Sequence, residues 1–365
     1  MVLQTHLVED YDTAVQTHLV EDDGTADTPG EGQWYCKLTW WRTQTHLVED
    51  GGTMENSSSF LFELSGLDVS VSQRHVYVGL ALWSYGVTLL FNVLLVVAVA
   101  VQKALHQPMY VFIANVCVNG MFGASSFYPK LVHDLLRGLG TVTYSGCIVQ
   151  MCAIYTYVFC EFTSLTVMAL DRYLAICRPL SYHSVMTRRT LVQLLALTWA
   201  LALLETMTGA VLTTRLPLCG TRLSKFFCTN WEVVKLSCSD TTANNIFSYV
   251  LLLWQVLQTA LIVGSYVGLV RAALRSQADR SRVLQTCVPH LLVLLLFLVS
   301  NTFDFMFSRY GVGVVGTALS NVLAAEFLVV PPLLNPVIYG IKMQQIRSPI
   351  TALLHRLFRR TEAAR

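Results

Sequence analysis

Seven apolar segments, each about as long as a membrane-spanning helix, constrain the fold of this chain more than any other feature. A helix needs roughly 20 apolar residues to cross the hydrocarbon layer of a bilayer. Lipid offers no hydrogen-bonding groups, so a spanning segment must pair its own backbone as a helix. The sequence therefore predicts an all-α membrane protein, a seven-transmembrane helix bundle with spans at 77–101, 109–136, 144–170, 191–213, 246–270, 287–307 and 317–340.

Composition supports a lipid bilayer as the surroundings of this chain. Hydrophobic residues make up 54% and charged residues 13% of the sequence, whereas soluble domains are roughly a quarter charged. The net charge is only +2, so the charge balance gives no support to nucleic-acid binding.

The distribution of cations predicts the orientation of the bundle. Most of the 25 Lys and Arg residues follow the first, third, fifth and seventh spans. Such short, cationic segments remain on the cytoplasmic side of a membrane. We therefore expect residues 54–76 to be an extracellular N-terminus that precedes the bundle at 77–341. The sequon Asn56-Ser57-Ser58 then lies on the side where glycosylation occurs.

The two ends of the chain differ from the bundle. Residues 1–53 contain Gln-Thr-His-Leu-Val-Glu-Asp three times, at 4–10, 16–22 and 44–50, and have no apolar face. We interpret them as a disordered extension, either a native extracellular one or translated upstream DNA, and favour the second. Residues 342–365 mix cations with apolar side chains at intervals of three and four. This predicts a short cytoplasmic amphipathic helix and tail.

Four motifs carry a resemblance to a known family. They are Asp171-Arg172-Tyr173 within the run Met168–Thr187, the Pro108–Asn115 run that opens the second span, Thr286–Leu291 in the sixth, and Asn335-Pro336-Val337-Ile338-Tyr339 in the seventh. From about Met54 to the C-terminus, the chain resembles odorant receptors, which are rhodopsin-like G-protein-coupled receptors.

Polar groups within the spans need partners of their own. Glu161 is a carboxylate in the middle of the third span, where an unpartnered charge is expensive. We expect it to bond to Asn92, Asn119 or Asn335. Pro336 lacks an N–H group and bends the last span, which frees carbonyl oxygens that we expect Asn335 or water to engage. The resemblance would place an Asp where this chain has Gly120.

Four of the ten cysteines lie in predicted outer segments of the bundle, namely Cys147, Cys219, Cys228 and Cys238. Disulfides persist in the oxidising environment outside the cell. Four cysteines allow three pairings, and the residues alone do not choose among them. The resemblance implies the pairs Cys147–Cys228 and Cys219–Cys238.

The resemblance also implies a function. A small-molecule odorant would bind in the outer half of the bundle, and the bound state would activate a stimulatory, olfactory heterotrimeric G protein and raise cyclic AMP. Asp171 would hold Arg172 at rest, and Arg172 would contact the G protein when released. Tyr173, Tyr266, Asn335, Pro336 and Tyr339 would belong to the same switch. No cofactor is implied.

Helical spacing suggests which side chains line the ligand site. Counting back from Arg172 along the third span places four side chains in its outer half: Ile154, Tyr155, Val158 and Phe159. Other spans add Val250, Trp254, Asn301, Thr302, Phe305 and Glu326. Most of these are apolar or aromatic, as in small-ligand sites, but such residues also serve in packing or lipid contact.

Other classes of membrane protein fit less well. A secondary transporter usually has repeated halves, and seven is an odd number of spans. An intramembrane enzyme needs catalytic groups, and the sequence has neither Gly-x-Ser-x-Gly nor His-Glu-x-x-His. A rhodopsin-like receptor outside the odorant group would keep Asp171-Arg172-Tyr173 and Asn335-Pro336, but would not need the Pro108–Asn115 run or three loop cysteines.

Overall fold

The computed structural model describes residues 61–65, 70–274, 277–310 and 317–342. The predictions for residues 1–53, for glycosylation at Asn56 and for an amphipathic helix beyond Lys342 lie outside these residues.

Within the described residues, seven long helices follow the seven predicted spans, and two short helices lie between them. In chain order the helices are α1 Val71–Val101, α2 Pro108–Arg137, α3 Tyr144–Cys177, α4 Pro179–Val185, α5 Arg188–Thr214, α6 Asn230–Val234, α7 Thr242–Ala273, α8 Gln277–Tyr310 and α9 Thr317–Lys342. A 3₁₀ turn, Lys103–Leu105, joins α1 to α2.

Length and composition agree with membrane crossing. Within the described ranges, α1, α2, α3, α5 and α7 are long and apolar enough to span a bilayer, and α8 and α9 carry shorter apolar stretches, Leu291–Met306 and Ala325–Gly340. Several helices are longer than their apolar runs: α1 begins at Val71 rather than at 77, and α8 at Gln277 rather than at 287. A helix pairs its backbone internally and can therefore continue past the lipid into polar turns.

Helix α3 lies at the centre of the bundle. It contacts α2, α5, α7 and α8, and most of its residues between Gln150 and Ala169 are buried. Its first turn is capped by Thr143, whose side-chain oxygen accepts a hydrogen bond from the Gly146 N–H at 3.2 Å. The neighbouring helix α2 starts at Pro108 and ends before Gly138, which adopts the left-handed conformation at φ 71°.

A small sheet covers the end of the bundle at which α3 begins. Strand β1, Leu61–Leu64, pairs antiparallel with β2, Thr141–Thr143, and parallel with β3, Arg222–Leu223. Phe62 of β1 is fully buried and belongs to an apolar cluster with Val142, Cys147 and Leu223. The sequence interpretation placed this segment in an extracellular N-terminus without predicting a strand, because four residues carry too little pattern.

Two disulfides hold the loop between α5 and α7. Cys147 at the start of α3 bonds to Cys228, with Cα atoms 5.4 Å apart. Cys219 bonds to Cys238 within the loop, at a Cα separation of 5.6 Å. These are the two pairs that the resemblance implies. They lie at the opposite end of α3 from Asp171.

We expect the two disulfides to contribute unequally to stability. Cys147–Cys228 closes a sequence separation of 81 residues, against 19 for Cys219–Cys238, and closing a longer loop removes more entropy from the unfolded chain. We therefore expect the double variant Cys147→Ser/Cys228→Ser to lose more than Cys219→Ser/Cys238→Ser, both in surface expression and in the unfolding temperature of the receptor in detergent. Flow cytometry and thermal unfolding of purified protein measure both, and an equal or reversed order would contradict the prediction.

Candidate functional site

A cavity opens in the half of the bundle that the disulfides cover. Helices α3, α5, α7 and α8 form its walls, and residues 229–231 of the α5–α7 loop also line it. Its empty volume is about 970 Å³, part of which is open to solvent. Many of the lining side chains are aromatic or aliphatic, as is usual for sites that bind small molecules.

Half of the ten predicted ligand-site residues line this cavity. They are Tyr155, Val158 and Phe159 on α3, and Asn301 and Phe305 on α8. The five others, Ile154, Val250, Trp254, Thr302 and Glu326, lie outside the lining.

The rotation of each helix explains which residues miss the cavity. On α7 the lining residues are Phe247, Ser248, Leu251, Leu252 and Gln255, which follow helical spacing. Val250 and Trp254 fall on the outer face of that helix, 56% and 36% exposed. Thr302 is likewise exposed, whereas Ile154 is buried in the core and Glu326 is half-buried on α9.

Charged side chains at the cavity were missed by the sequence interpretation. Glu205 on α5 and Asp304 and Arg309 on α8 all line it. The signal was present in the sequence, because an ionisable residue within or beside an apolar span marks a functional position by default.

The α5–α7 loop is joined to α8 by two cations. The Lys225 side chain is only 6% exposed, and its Nζ donates to Asp304 Oδ1 at 2.7 Å and to Ser308 Oγ at 2.6 Å. The second contact runs from α8 to the loop: the Arg309 guanidinium lies 4.0 Å from the centre of the Trp231 ring. The α5–α7 loop and the C-terminal part of α8 are therefore held together beside the cavity.

Glu232 stabilises the same loop outside the membrane-spanning segments. Burial opposes its ionisation, but hydrogen bonds from Lys235 Nζ at 2.8 Å and from the Ser224 N–H at 3.0 Å outweigh that effect and lower its pKa. Its contribution to stability is therefore present at neutral pH and is lost as pH falls through the lowered pKa.

The opposite end of α3 holds the predicted switch. Asp171 is fully buried and accepts hydrogen bonds from the Arg172 guanidinium and, at 2.8 Å, from the Tyr182 hydroxyl of α4. Burial and the nearby Asp171 carboxylate raise the pKa of Tyr182. The Tyr173 ring lies so close to α7 that a Cβ atom on Gly268 would be 2.7 Å from its Cε2 atom. These contacts join α3, α4 and α7 at this end.

Helix α9 contributes a buried polar network to the middle of the bundle. Glu161 accepts hydrogen bonds from Asn119 at 2.8 Å and from Asn335 at 2.9 Å, two of the three expected partners. Tyr266 and Tyr339 of the predicted switch are also buried. The network therefore joins α2, α3 and α9.

The effect of Pro336 differs from the prediction. Because proline lacks an N–H group, the carbonyl of Pro332 has no helical donor. The structure supplies Asn92 of α1, whose Nδ2 donates to Pro332 O at 2.9 Å, whereas we expected Asn335 or water. Asn335 is instead directed at Glu161.

Comparisons with known proteins identify the family. The sequence model described as olfactory receptor matches residues 82–356. Human olfactory receptor 1N1 is 34% identical over 307 residues, which cover 82% of this chain and 97% of that protein. Human olfactory receptor 4K3 is 32% identical over 303 residues, which cover 82% of this chain and 94% of that protein. Rat olfactory receptor 1 is 32% identical over 304 residues, which cover 79% of this chain and 92% of that protein.

The predicted resemblance and the predicted seven-helix bundle are both confirmed. The chain belongs to the olfactory receptor family of G-protein-coupled receptors and is a multi-pass membrane protein.

Proposed function

We propose that this protein is an odorant receptor of the plasma membrane that binds a small molecule in the cavity and activates a stimulatory heterotrimeric G protein, which raises cyclic AMP. One observation carries the proposal: the cavity and the Asp171–Arg172 pair lie at opposite ends of the same buried helix, α3. Phe159 in the cavity wall is about 20 Å along the helix axis from Arg172, at 1.5 Å per residue.

The cavity has the properties expected of a ligand site. Its walls combine aromatic side chains with a few polar groups. Two of those polar groups, Trp231 Nε1 and Thr229 Oγ1, are buried without a partner among the described residues. A buried donor left unpaired costs roughly 1–3 kcal/mol, so an occupant with a polar atom would stabilise this end of the bundle.

Coupling requires that the ligand prefer one arrangement of the helices over another. A ligand shifts such an equilibrium only by its differential affinity for the two states. Helices α3, α7 and α8 each contribute to the cavity wall, and α3 meets α7 again where Tyr173 packs on Gly268. A change in their spacing at the cavity would alter this contact and free Arg172 from Asp171. Tyr266, Asn335, Pro336 and Tyr339 would rearrange with it.

The proposed orientation places the N-terminus outside the cell. The disulfides and the cavity occupy the end of the bundle that would face the oxidising extracellular space. Asp171, Arg172 and the cationic segments would face the cytoplasm, in agreement with the positive-inside distribution.

Two leucines on α7 test the cavity as the ligand site. Leu251 lines it, whereas Leu253 is 70% exposed on the other face of the same helix. Leu251→Ala should raise the odorant concentration for half-maximal cyclic AMP about tenfold, as expected when a buried contact of this size is lost. Leu253→Ala is the matched control and should shift it less than about twofold. Equal shifts at matched surface expression would show that the ligand binds elsewhere.

Arg172→Ala tests the coupling end. Its side chain contacts Asp171, and its loss should leave the receptor at the cell surface while abolishing odorant-driven cyclic AMP. Arg189→Ala removes an exposed cation from the first turn of α5 and serves as the control. Normal signalling by Arg172→Ala, measured at matched surface level, would contradict the assigned role.

A further inference from the structure

Among the described residues, three charged groups line the cavity, and they differ in how well they are paired. Asp304 faces Lys225 at 2.7 Å, so its charge is balanced within the protein. Arg309 lies over the rings of Trp231, Phe305 and Tyr249, at 4.0, 5.1 and 5.2 Å, and its Nη1 donates to Asn245 Oδ1 at 3.3 Å. Both groups therefore have compensating neighbours before any ligand enters.

Glu205 has no such compensation. Its carboxylate accepts a hydrogen bond from Trp254 on α7, and none of the ion pairs among the described residues includes it. An ionised carboxylate offers about four acceptor positions, so one indole N–H leaves most of them open.

The position of Glu205 makes this lack of a charged partner costly. It lies in α5 about 26 Å from the inner end at Arg188 and about 14 Å from the outer end at Thr214, at 1.5 Å per residue. A carboxylate with a single donor at such a depth is unfavourable unless a partner of opposite charge or further donors reach it. Because Glu205 lines the cavity, the partner can come from a ligand.

We propose that Glu205 binds the protonated amino group of a small amphiphilic amine, an inference that rests on the proposed function and specifies its ligand class. The ammonium group lies against the Glu205 carboxylate, and the hydrocarbon part packs on Phe159, Leu251 and Phe305. A charge-assisted hydrogen bond of this kind is about twice as strong as a neutral one.

Trp254 has a positioning role in this arrangement. It lies outside the cavity lining, but its indole N–H holds the carboxylate of Glu205. A second hydrogen bond fixes the neighbouring turn of α5: Thr156 of α3 donates to Thr206 Oγ1 at 3.3 Å. Trp254 therefore holds the Glu205 carboxylate, and Thr156 holds the residue next to it in α5.

The test compares matched ligands on wild-type receptor and on Glu205→Gln, which keeps the size of the side chain. The probes are the primary alkylamines from butylamine to octylamine, each with the alcohol and the carboxylic acid of the same chain length. Binding is read as ligand-induced thermal stabilisation of purified receptor, and signalling as cyclic AMP in cells. The alcohol is the internal control, since it has the same hydrocarbon part without the charge.

We expect at least one amine to bind the wild type more tightly than its alcohol and its acid. Glu205→Gln should weaken amine binding about tenfold and alcohol binding less than about threefold, the difference expected for one charge-assisted hydrogen bond. Glu205→Asp retains the charge and should retain part of the preference for the amine, which also covers the case in which Glu205→Gln fails to fold. Trp254→Phe should weaken amine binding by an intermediate factor.

Three results would overturn the proposal. They are absence of stabilisation of the wild type by every amine, equal losses of amine and alcohol binding in Glu205→Gln, and tightest binding of the acids with dependence on Arg309. Failure of the proposed function gives a different pattern, in which amines stabilise the purified receptor through Glu205 but no cyclic AMP follows.

Discussion

The inability of lipid to form hydrogen bonds is the constraint on which this structure depends. Within the spans, a polar group is stabilised only by partners that the bundle itself supplies. Pro336 shows the consequence most directly, because its missing N–H leaves the Pro332 carbonyl to be paired by Asn92 from a helix 240 residues away in sequence. Glu161 is treated in the same way by Asn119 and Asn335. Together with the packing of side chains between helices, these bonds determine which helices are neighbours.

The same constraint bears on the roles that we propose for the charged groups. Where partners are complete, as around Asp304 and Lys225, the group closes the structure. Where a carboxylate at a cavity lacks a charged partner, as Glu205 does, the proposed ligand would supply it. Asp171 lies between these cases: Arg172 and Tyr182 satisfy it from its own helix and from α4, and both donors lie near the end of α3, where they can be exchanged for others.

How much the sequence could predict follows from the range of each interaction. The spans can be predicted because each depends on the hydropathy of one continuous segment. The family can be recognised because its motifs are short continuous runs such as Asp171-Arg172-Tyr173. The rotation of α7 about its axis depends on how it packs against other helices, which the sequence of α7 alone does not show. The sequence therefore predicts Val250 and Trp254 as lining residues, whereas Leu251 and Leu252 face the cavity. Lys225 and Asp304 are 79 residues apart, and β1 has only four residues, so neither feature produces a periodic signal.

The three-stranded sheet has a consequence for biosynthesis. The ribosome delivers β1 first, yet its partners at 141–143 and 222–223 emerge only after two and four long helices have been made. Strand pairs this distant in sequence close late in folding. Residues 61–64 must therefore remain outside the bilayer, with their backbone groups hydrated, while the helices that separate β1 from β2 and β3 are inserted. The first described element to leave the ribosome is thus among the last to reach its final position, where it pairs with strands of two later loops.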